Sequence, residues 1–168
     1  MKKRRNNARV LFKRRRQSKT NYLSRIRALK AGRPRLVVRR TNRYLIAQIV
    51  VSEMAQDRVI LTANSKDLID YGWPETTSIK NLAAGYLLGV LCAVKAKKAK
   101  IDYAALDIGL LRSTKGNRIY AVVKGAVDGG LDVPHSEEIL PPMERIKRED
   151  LKNKADVDKI KEKILKNA

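Results

Sequence analysis

No acidic residue occurs before Glu53, yet by Arg43 the chain has already passed 18 of its 38 Lys and Arg. The remaining 125 residues hold the other 20 cations and all 17 acids, which divides the net charge of +21 into +18 and +3. This segregation constrains folding more than any other feature. A block of one sign repels itself in isolation and is normally stabilised by a polyanion, which at a pI of 10.4 points to nucleic acid. A merely solvated helix face would mix Lys with Glu, and this region has no negative charge to mix. Arg outnumbers Lys within it, and each guanidinium can fork onto phosphate oxygens, which favours structured RNA contact over loose screening.

The rest reads as an ordinary folded domain. A length of 168 residues suits one domain with appendages, and 43% apolar content exceeds what a disordered polycation carries, so one hydrophobic core is expected. Trp73, Phe12 and six Tyr are the only aromatic residues, so stacking of bases on rings is not the main recognition mode. Cys92 stands alone, which excludes an intrachain disulfide and a cysteine-built zinc cluster and fits a reducing, cytoplasmic setting. The longest apolar stretch, residues 82–94, is shorter than the roughly 20 residues of a membrane span and contains Gly85 and Gly89; it reads as a core helix. The Arg-rich N-terminus lacks the Ser-rich character of a transit peptide and runs directly into apparent folded structure.

Along the chain, residues 1–33 form a basic RNA-binding arm and helix, residues 34–140 an α/β core, and residues 141–168 a charged tail. Residues 1–12, including Arg4 and Arg5, have no steady period and read as an arm that orders on binding. From about Arg14 to Ala31, Tyr22, Leu23, Ile26 and Leu29 recur at helical spacing until Gly32 and Pro34. Residues 35–40 and 44–51 are β-branched runs joined by Thr41, Asn42 and Arg43, which predicts an antiparallel hairpin. A third strand, residues 59–63, is expected after a polar break at 52–58. A helix over residues 77–98, a short strand over 103–108, a basic loop over 109–117, and a helix ending at Gly129-Gly130 follow. The fold class is therefore α/β, with a mixed, mostly antiparallel sheet packed by helices. In the tail, Ile160 and Ile164 are four apart among Lys, Glu and Asp, which predicts an exposed helix.

Candidates for catalysis are few. His135 is the only histidine and sits in Val-Pro-His-Ser, where a structural or RNA-contacting role outweighs that of a base. Asp102, Asp107, Asp128 and Asp132 carry the types of a metal-dependent nuclease but no spacing signature, and caps and turns account for them better. Gly125, Gly129 and Gly130 lack the strand-turn-helix context of a phosphate loop and read as close helix packing or a helix stop. Cys92 among Leu88, Leu91 and Val94 reads as a buried, inert thiol. No catalytic residue, metal, cofactor or small-molecule substrate is implied. Arg39, Arg40 and Arg43 flank the hairpin turn, and Arg112, Lys115 and Arg118 extend the patch if their loop lies at the same end.

Several words of the sequence then carry a family resemblance. Arg14-Arg15-Arg16 leads into Thr20-Asn21-Tyr22, followed by Gly-Arg-Pro-Arg-Leu-Val-Val-Arg at 32–39 and by Thr41-Asn42-Arg43-Tyr44 with Ala47-Gln48-Ile49-Val50. Asp67-Leu68, Tyr71-Gly72-Trp73, Leu106-Asp107-Ile108-Gly109-Leu110 and the stretch from Gly130 to Ser136 continue in order. Together these resemble the L-eighteen family of large-subunit ribosomal proteins over about residues 14–140, in its archaeal and eukaryotic branch and with an archaeal-like length. The resemblance implies a compact α/β domain whose basic extension threads into RNA. It also implies partners: 5S rRNA in the central protuberance, large-subunit rRNA and neighbouring large-subunit proteins, with no membrane.

Carried over by position, the implied RNA contacts are Arg14, Arg15, Arg16, Lys19, Tyr22, Arg25, Arg33, Arg35, Arg39, Arg40, Asn42 and Arg43. Thr41 stands where the family pattern usually has Ser, and Tyr44 where His is common; the hydroxyl and the aromatic ring are kept. The tail after Pro142 matches no word of that pattern. The rival reading of the charge is a DNA-compacting or regulatory protein, using a helix in the major groove.

Overall fold

The computed structural model describes residues 10–54, 56–147 and 156–166. Arg4 and Arg5 of the expected arm lie outside the described residues. A four-stranded sheet has the order β3-β2-β1-β4. β1 (Arg35–Arg40) pairs antiparallel with β2 (Leu45–Glu53), β2 pairs antiparallel with β3 (Gln56–Asn64), and β4 (Ala105–Asp107) lies parallel to β1. The sheet is mixed and mostly antiparallel, as the patterning predicted. The expected break at 52–58 is instead part of the second hairpin: Ser52 faces Asp57 and Glu53 faces Gln56, with Met54 left-handed at φ 47° in the tight turn. Polarity there marks the exposed end of a ladder, and Ser52 Oγ donates to Asp57 Oδ1 at 2.6 Å across it.

Residue alternation on β1 decides which face each layer takes. Leu36 and Val38 are fully buried against the helical layer, whereas Arg35 and Arg39 stand on the opposite face. The helical layer consists of α3 (Leu82–Lys98) and α4 (Arg118–Asp128). Asn81 caps α3, its Oδ1 accepting from Ala84 N at 2.7 Å, and Asn117 caps α4, accepting from Ile119 N at 2.7 Å. The predicted start of α3 at Thr77 was early because residues 77–80 hold the helical pattern without the cap.

α3 and α4 pack so closely that a methyl group on Gly89 would overlap the Val122 carbonyl, and one on Gly125 the Tyr86 carbonyl. These glycines serve close helix packing, as their lack of phosphate-loop context indicated. Trp73, Leu68 and Leu131 belong to the same core.

Two further expectations fail. The single helix over Arg14 to Ala31 is two: α1 (Lys13–Arg16) and α2 (Tyr22–Lys30). Ser18 turns left-handed at φ 51°, and Asn21 Oδ1 accepts from Leu23 N and Ser24 N, so the side chain that starts α2 also ends any continuous helix. The exposed C-terminal helix is not exposed on its apolar side. In α6 (Val157–Lys166) Val157, Ile160 and Ile164 form one stripe, all at most 5% exposed, in the core against α3. Counting only Ile160 and Ile164 had left that stripe one residue short. α5 (Met143–Lys147) adds Ile146 to the same core, so the described part of residues 141–168 packs on the domain.

Candidate nucleic-acid interface

The outer face of the sheet is organised by an ion chain that no stretch of sequence displays. Arg35 lies at the centre with a side chain 5% exposed. Its Nη2 donates to Asp57 Oδ1 at 2.7 Å and to Ser52 Oγ at 2.8 Å, while Nη1 donates to Asp107 Oδ2 at 3.1 Å. Asp57 Oδ2 then accepts from Arg25 Nη1 of α2 at 2.8 Å, and Asp107 Oδ1 accepts from Arg39 Nη2 at 3.1 Å and from Gly109 N at 2.8 Å. Three guanidiniums and two carboxylates thus alternate from α2 across β3 and β1 to β4. Burial alone would raise the Asp57 carboxyl, but hydrogen bonds from Arg25 and Ser52 and the charge of Arg35 outweigh it and hold its pKa below the ordinary value. The hydrogen bond to Asp57 likewise raises Arg25. Chemically, the chain fastens α2 to the sheet through Arg25.

This geometry sorts the expected contacts. Arg35 has only 5% of its side chain exposed and spends its terminal nitrogens on Asp57, Ser52 and Asp107, so it aligns Arg25 and Arg39 beside the groove it also lines. Arg25 and Arg39 are held at the surface by carboxylates. Arg14, Arg15, Arg16, Lys19, Arg40 and Arg43 are exposed or nearly so, and among the described residues they make no ion pair. Arg14 Nε donates to Thr20 Oγ1 at 2.8 Å, which ties α1 to the entry of α2, and Tyr22 packs its ring 5.2 Å from that of Phe12. Arg33 lies 5.1 Å over the Tyr103 ring and donates to its hydroxyl at 3.2 Å. Asn42 and Arg43 form the tip of the first hairpin, where Thr41 Oγ1 accepts from Tyr44 N at 3.0 Å and donates to Tyr44 O at 2.8 Å. A serine would supply the same hydroxyl, so the family departure at Thr41 leaves the turn intact.

A groove of about 640 Å³ opens between α1–α2 and the β1–β4 side of the sheet. Arg14, Lys19, Arg25, Arg35, Arg39 and Arg40 line it together with residues 106–111. The loop of residues 109–117 therefore starts at this groove, with Arg112 one residue past its lining. It then turns away: Lys115 Nζ pairs with Glu138 at 3.0 Å, and Gly116 lies against Arg145 of α5. Lys115 is thus drawn toward residues 137–139, and Arg118 is the first residue of α4; neither lines the groove. Sequence reasoning missed Lys66 and Lys80, which join the hairpin tip. Lys66 Nζ lies 4.7 Å over the Tyr44 ring and Lys80 Nζ donates to Asn42 O at 2.7 Å. Their distance along the chain from the basic block hid them. Arg27 and Lys30, left out of the expected set, are exposed on α2.

The remaining chemical candidates have structural occupations. The four aspartates do not converge: Asp107 is taken up by the ion chain, and Asp128 Oδ2 accepts from Tyr86 Oη at 2.7 Å. Burial, and then the bond to Asp128, pushes the Tyr86 hydroxyl pKa up. Among the described residues no group of three His, Cys, Asp or Glu is placed to hold a metal ion. His135 is exposed, with Nδ1 2.6 Å from Val133 O. Cys92 is fully buried, and burial pushes its thiol up to about 12. No helix among the described residues is long and apolar enough to cross a membrane.

Comparison with known proteins finds relatives over most of the chain. Residues 6–103 and 95–136 match the family model described as "Ribosomal large subunit proteins 60S L5, and 50S L18". The chain is 54% identical over 140 residues to the large ribosomal subunit protein uL18 of Korarchaeum cryptofilum, covering 83% of this chain and 71% of that protein. The uL18 proteins of Methanoregula boonei and Methanospirillum hungatei are 51% and 50% identical over 140 residues, each covering 83% of this chain and 79% of the relative. The acid-free arm, the hairpin with its basic tip and the helix-backed mixed sheet thus come together in a chain that belongs to the uL18 family of large ribosomal subunit proteins.

Proposed function

We propose that this chain is a non-catalytic constituent of the large ribosomal subunit that binds 5S rRNA and helps anchor it to the large-subunit rRNA in the central protuberance. One observation carries the reading: of the cations between Lys13 and Arg43, only Arg25, Arg35 and Arg39 form ion pairs among the described residues. The others lie on α1 and α2, in the segments that flank α2, and at the hairpin end of β1 and its turn, with no carboxylate to neutralise them, and phosphate is the counter-charge that fits. The α/β core fixes α2 and the hairpin tip relative to each other, so the surface reads the shape of folded RNA rather than a linear sequence. Neighbouring ribosomal proteins and large-subunit rRNA are the remaining partners, and residues 137–147 and 156–166 offer a mixed-charge surface away from the groove.

The test is a competition assay at physiological salt, with the purified chain presented with 5S rRNA, an unrelated folded RNA and a DNA duplex of equal charge. A large preference for 5S rRNA is expected. Equal binding to all three overturns the specific reading, and preference for the duplex favours a DNA-binding role.

A further inference from the structure

Arg39 is held in an unusual way for a phosphate-binding arginine. Its Nη1 donates to Val38 O at 2.9 Å and Asp107 O at 2.8 Å, and its Nη2 donates to Asp107 Oδ1 at 3.1 Å. Three of the five N–H bonds of a guanidinium are therefore spent inside the protein, yet the side chain remains 41% exposed. A guanidinium with its edges committed has a face to offer rather than a fork. Gly109 backs one face of it: the residue is left-handed at φ 64°, and a Cβ there would sit 3.0 Å from Arg39 Cζ and 3.2 and 3.3 Å from its two terminal nitrogens, so only a glycine backbone fits against the guanidinium. The methyl that any other residue carries would crowd the guanidinium out of the position it holds in the groove both residues line.

We infer that this groove is a pocket for one unpaired nucleotide of the bound RNA, its base stacked on the Arg39 plane and its phosphate held by Arg14, Lys19 and Arg40. The inference rests on the RNA-binding reading and deepens it. The volume of about 640 Å³ lies within the roughly 300–1,000 Å³ of small-molecule sites, whereas an A-form duplex presents a wide, shallow minor groove and nothing to fill a concavity. The lining matches a nucleotide's two halves. Leu106, Ile108 and Leu111 are apolar, and the one carboxylate, Asp107, is already neutralised by two guanidiniums. No aromatic ring lines the groove, so the arginine plane supplies the stacking surface that a chain so poor in aromatics lacks elsewhere.

Arg39→Lys tests this, because it keeps the charge and removes the plane. The full chain is titrated with 5S rRNA, and separately with a short single-stranded oligouridylate and an RNA duplex of equal charge. Affinity for 5S rRNA and for the single strand should fall by about 5- to 150-fold, the usual cost of losing one stacked base, with the salt slope and the duplex affinity unchanged. Gly109→Ala, which retains every charge and displaces the Arg39 plane, should produce the same pattern, and thermal melting of both variants shows whether the fold is kept. Ultraviolet crosslinking of the wild-type complex should place the attached nucleotide on Arg39 or residues 109–111. Unchanged affinity in both folded variants, or crosslinks only elsewhere, overturns the pocket. If wild type shows no preference for 5S rRNA but single-strand binding still depends on Arg39 and Gly109, the ribosomal RNA reading fails and the pocket stands.

Discussion

Strand β1 has two faces, and they are built by opposite means. Inward, Leu36 and Val38 are fully buried against α3 and α4, a layer whose helices touch backbone to backbone at Gly89 and Gly125. Outward, Arg35 and Arg39 join Asp57, Asp107 and Arg25 in a chain of alternating charge beneath α2, and neither α1 nor α2 contains a buried residue. The inner face is stabilised by apolar burial, which needs no partner. The outer face holds a surplus of cations in place with only two carboxylates, an arrangement completed by an external anion. Stability and RNA affinity should therefore be separable by face.

The largest effect is expected on the inner face. Gly125→Val places a branched side chain into the Tyr86 carbonyl, so α3 and α4 must separate, at a cost of about 3 kcal/mol or more. A fall in the urea midpoint at constant m checks it, and an unchanged midpoint would mean the helices are not in backbone contact. Next comes Arg35→Ala, which deprives both carboxylates of their shared buried partner while Arg25 and Arg39 still pair with them. About 2 kcal/mol of stability should be lost in the same unfolding assay, with RNA affinity falling in addition because Arg25 and Arg39 lose their alignment. A loss of affinity with no loss of stability would instead make Arg35 a direct contact.

Arg15→Ala with Arg16→Ala probes the outer surface alone. Stability should stay within about 0.5 kcal/mol, while the log-log salt dependence of 5S rRNA binding becomes shallower by about 0.7–0.9 for each phosphate contact removed. An unaltered slope removes the cluster from the interface. The smallest effect concerns pH. Because the folded Asp57 carboxyl has a lowered pKa, its contribution to stability is fully present above the unfolded carboxylate value of about 3.9 and is lost as pH falls through the folded value. Asp57→Asn should accordingly flatten part of the acid limb below about pH 4 in a stability-against-pH series; an identical limb would show that Asp57 is not coupled to folding.

The sequence disclosed the elements more readily than their relationships. The first hairpin was legible because β-branched runs flank a turn built on Thr41 and Asn42, and α4 because its apolar period ends at Gly129-Gly130. Charge segregation identified the basic surface without any structural information. The burial of Arg35 was illegible, since its acidic partners are 22 and 72 residues away, and an isolated arginine in a basic run looks like every other one. For the same reason Lys66 and Lys80 escaped notice, and the packing of α6 depended on adding Val157 to a stripe partly masked by surrounding charge. Local periodicity reports which side of an element is apolar; partners distant in the chain determine what covers it.

Backbone hydrogen exchange of the free chain and of its complex with 5S rRNA tests the division between the two faces most directly. The account predicts new protection in α2, around residues 41–44 and at the groove loop beginning at Gly109, with α6 unchanged. Protection concentrated on α6 and residues 137–147, with α2 and the hairpin tip exchanging as in the free chain, would contradict it.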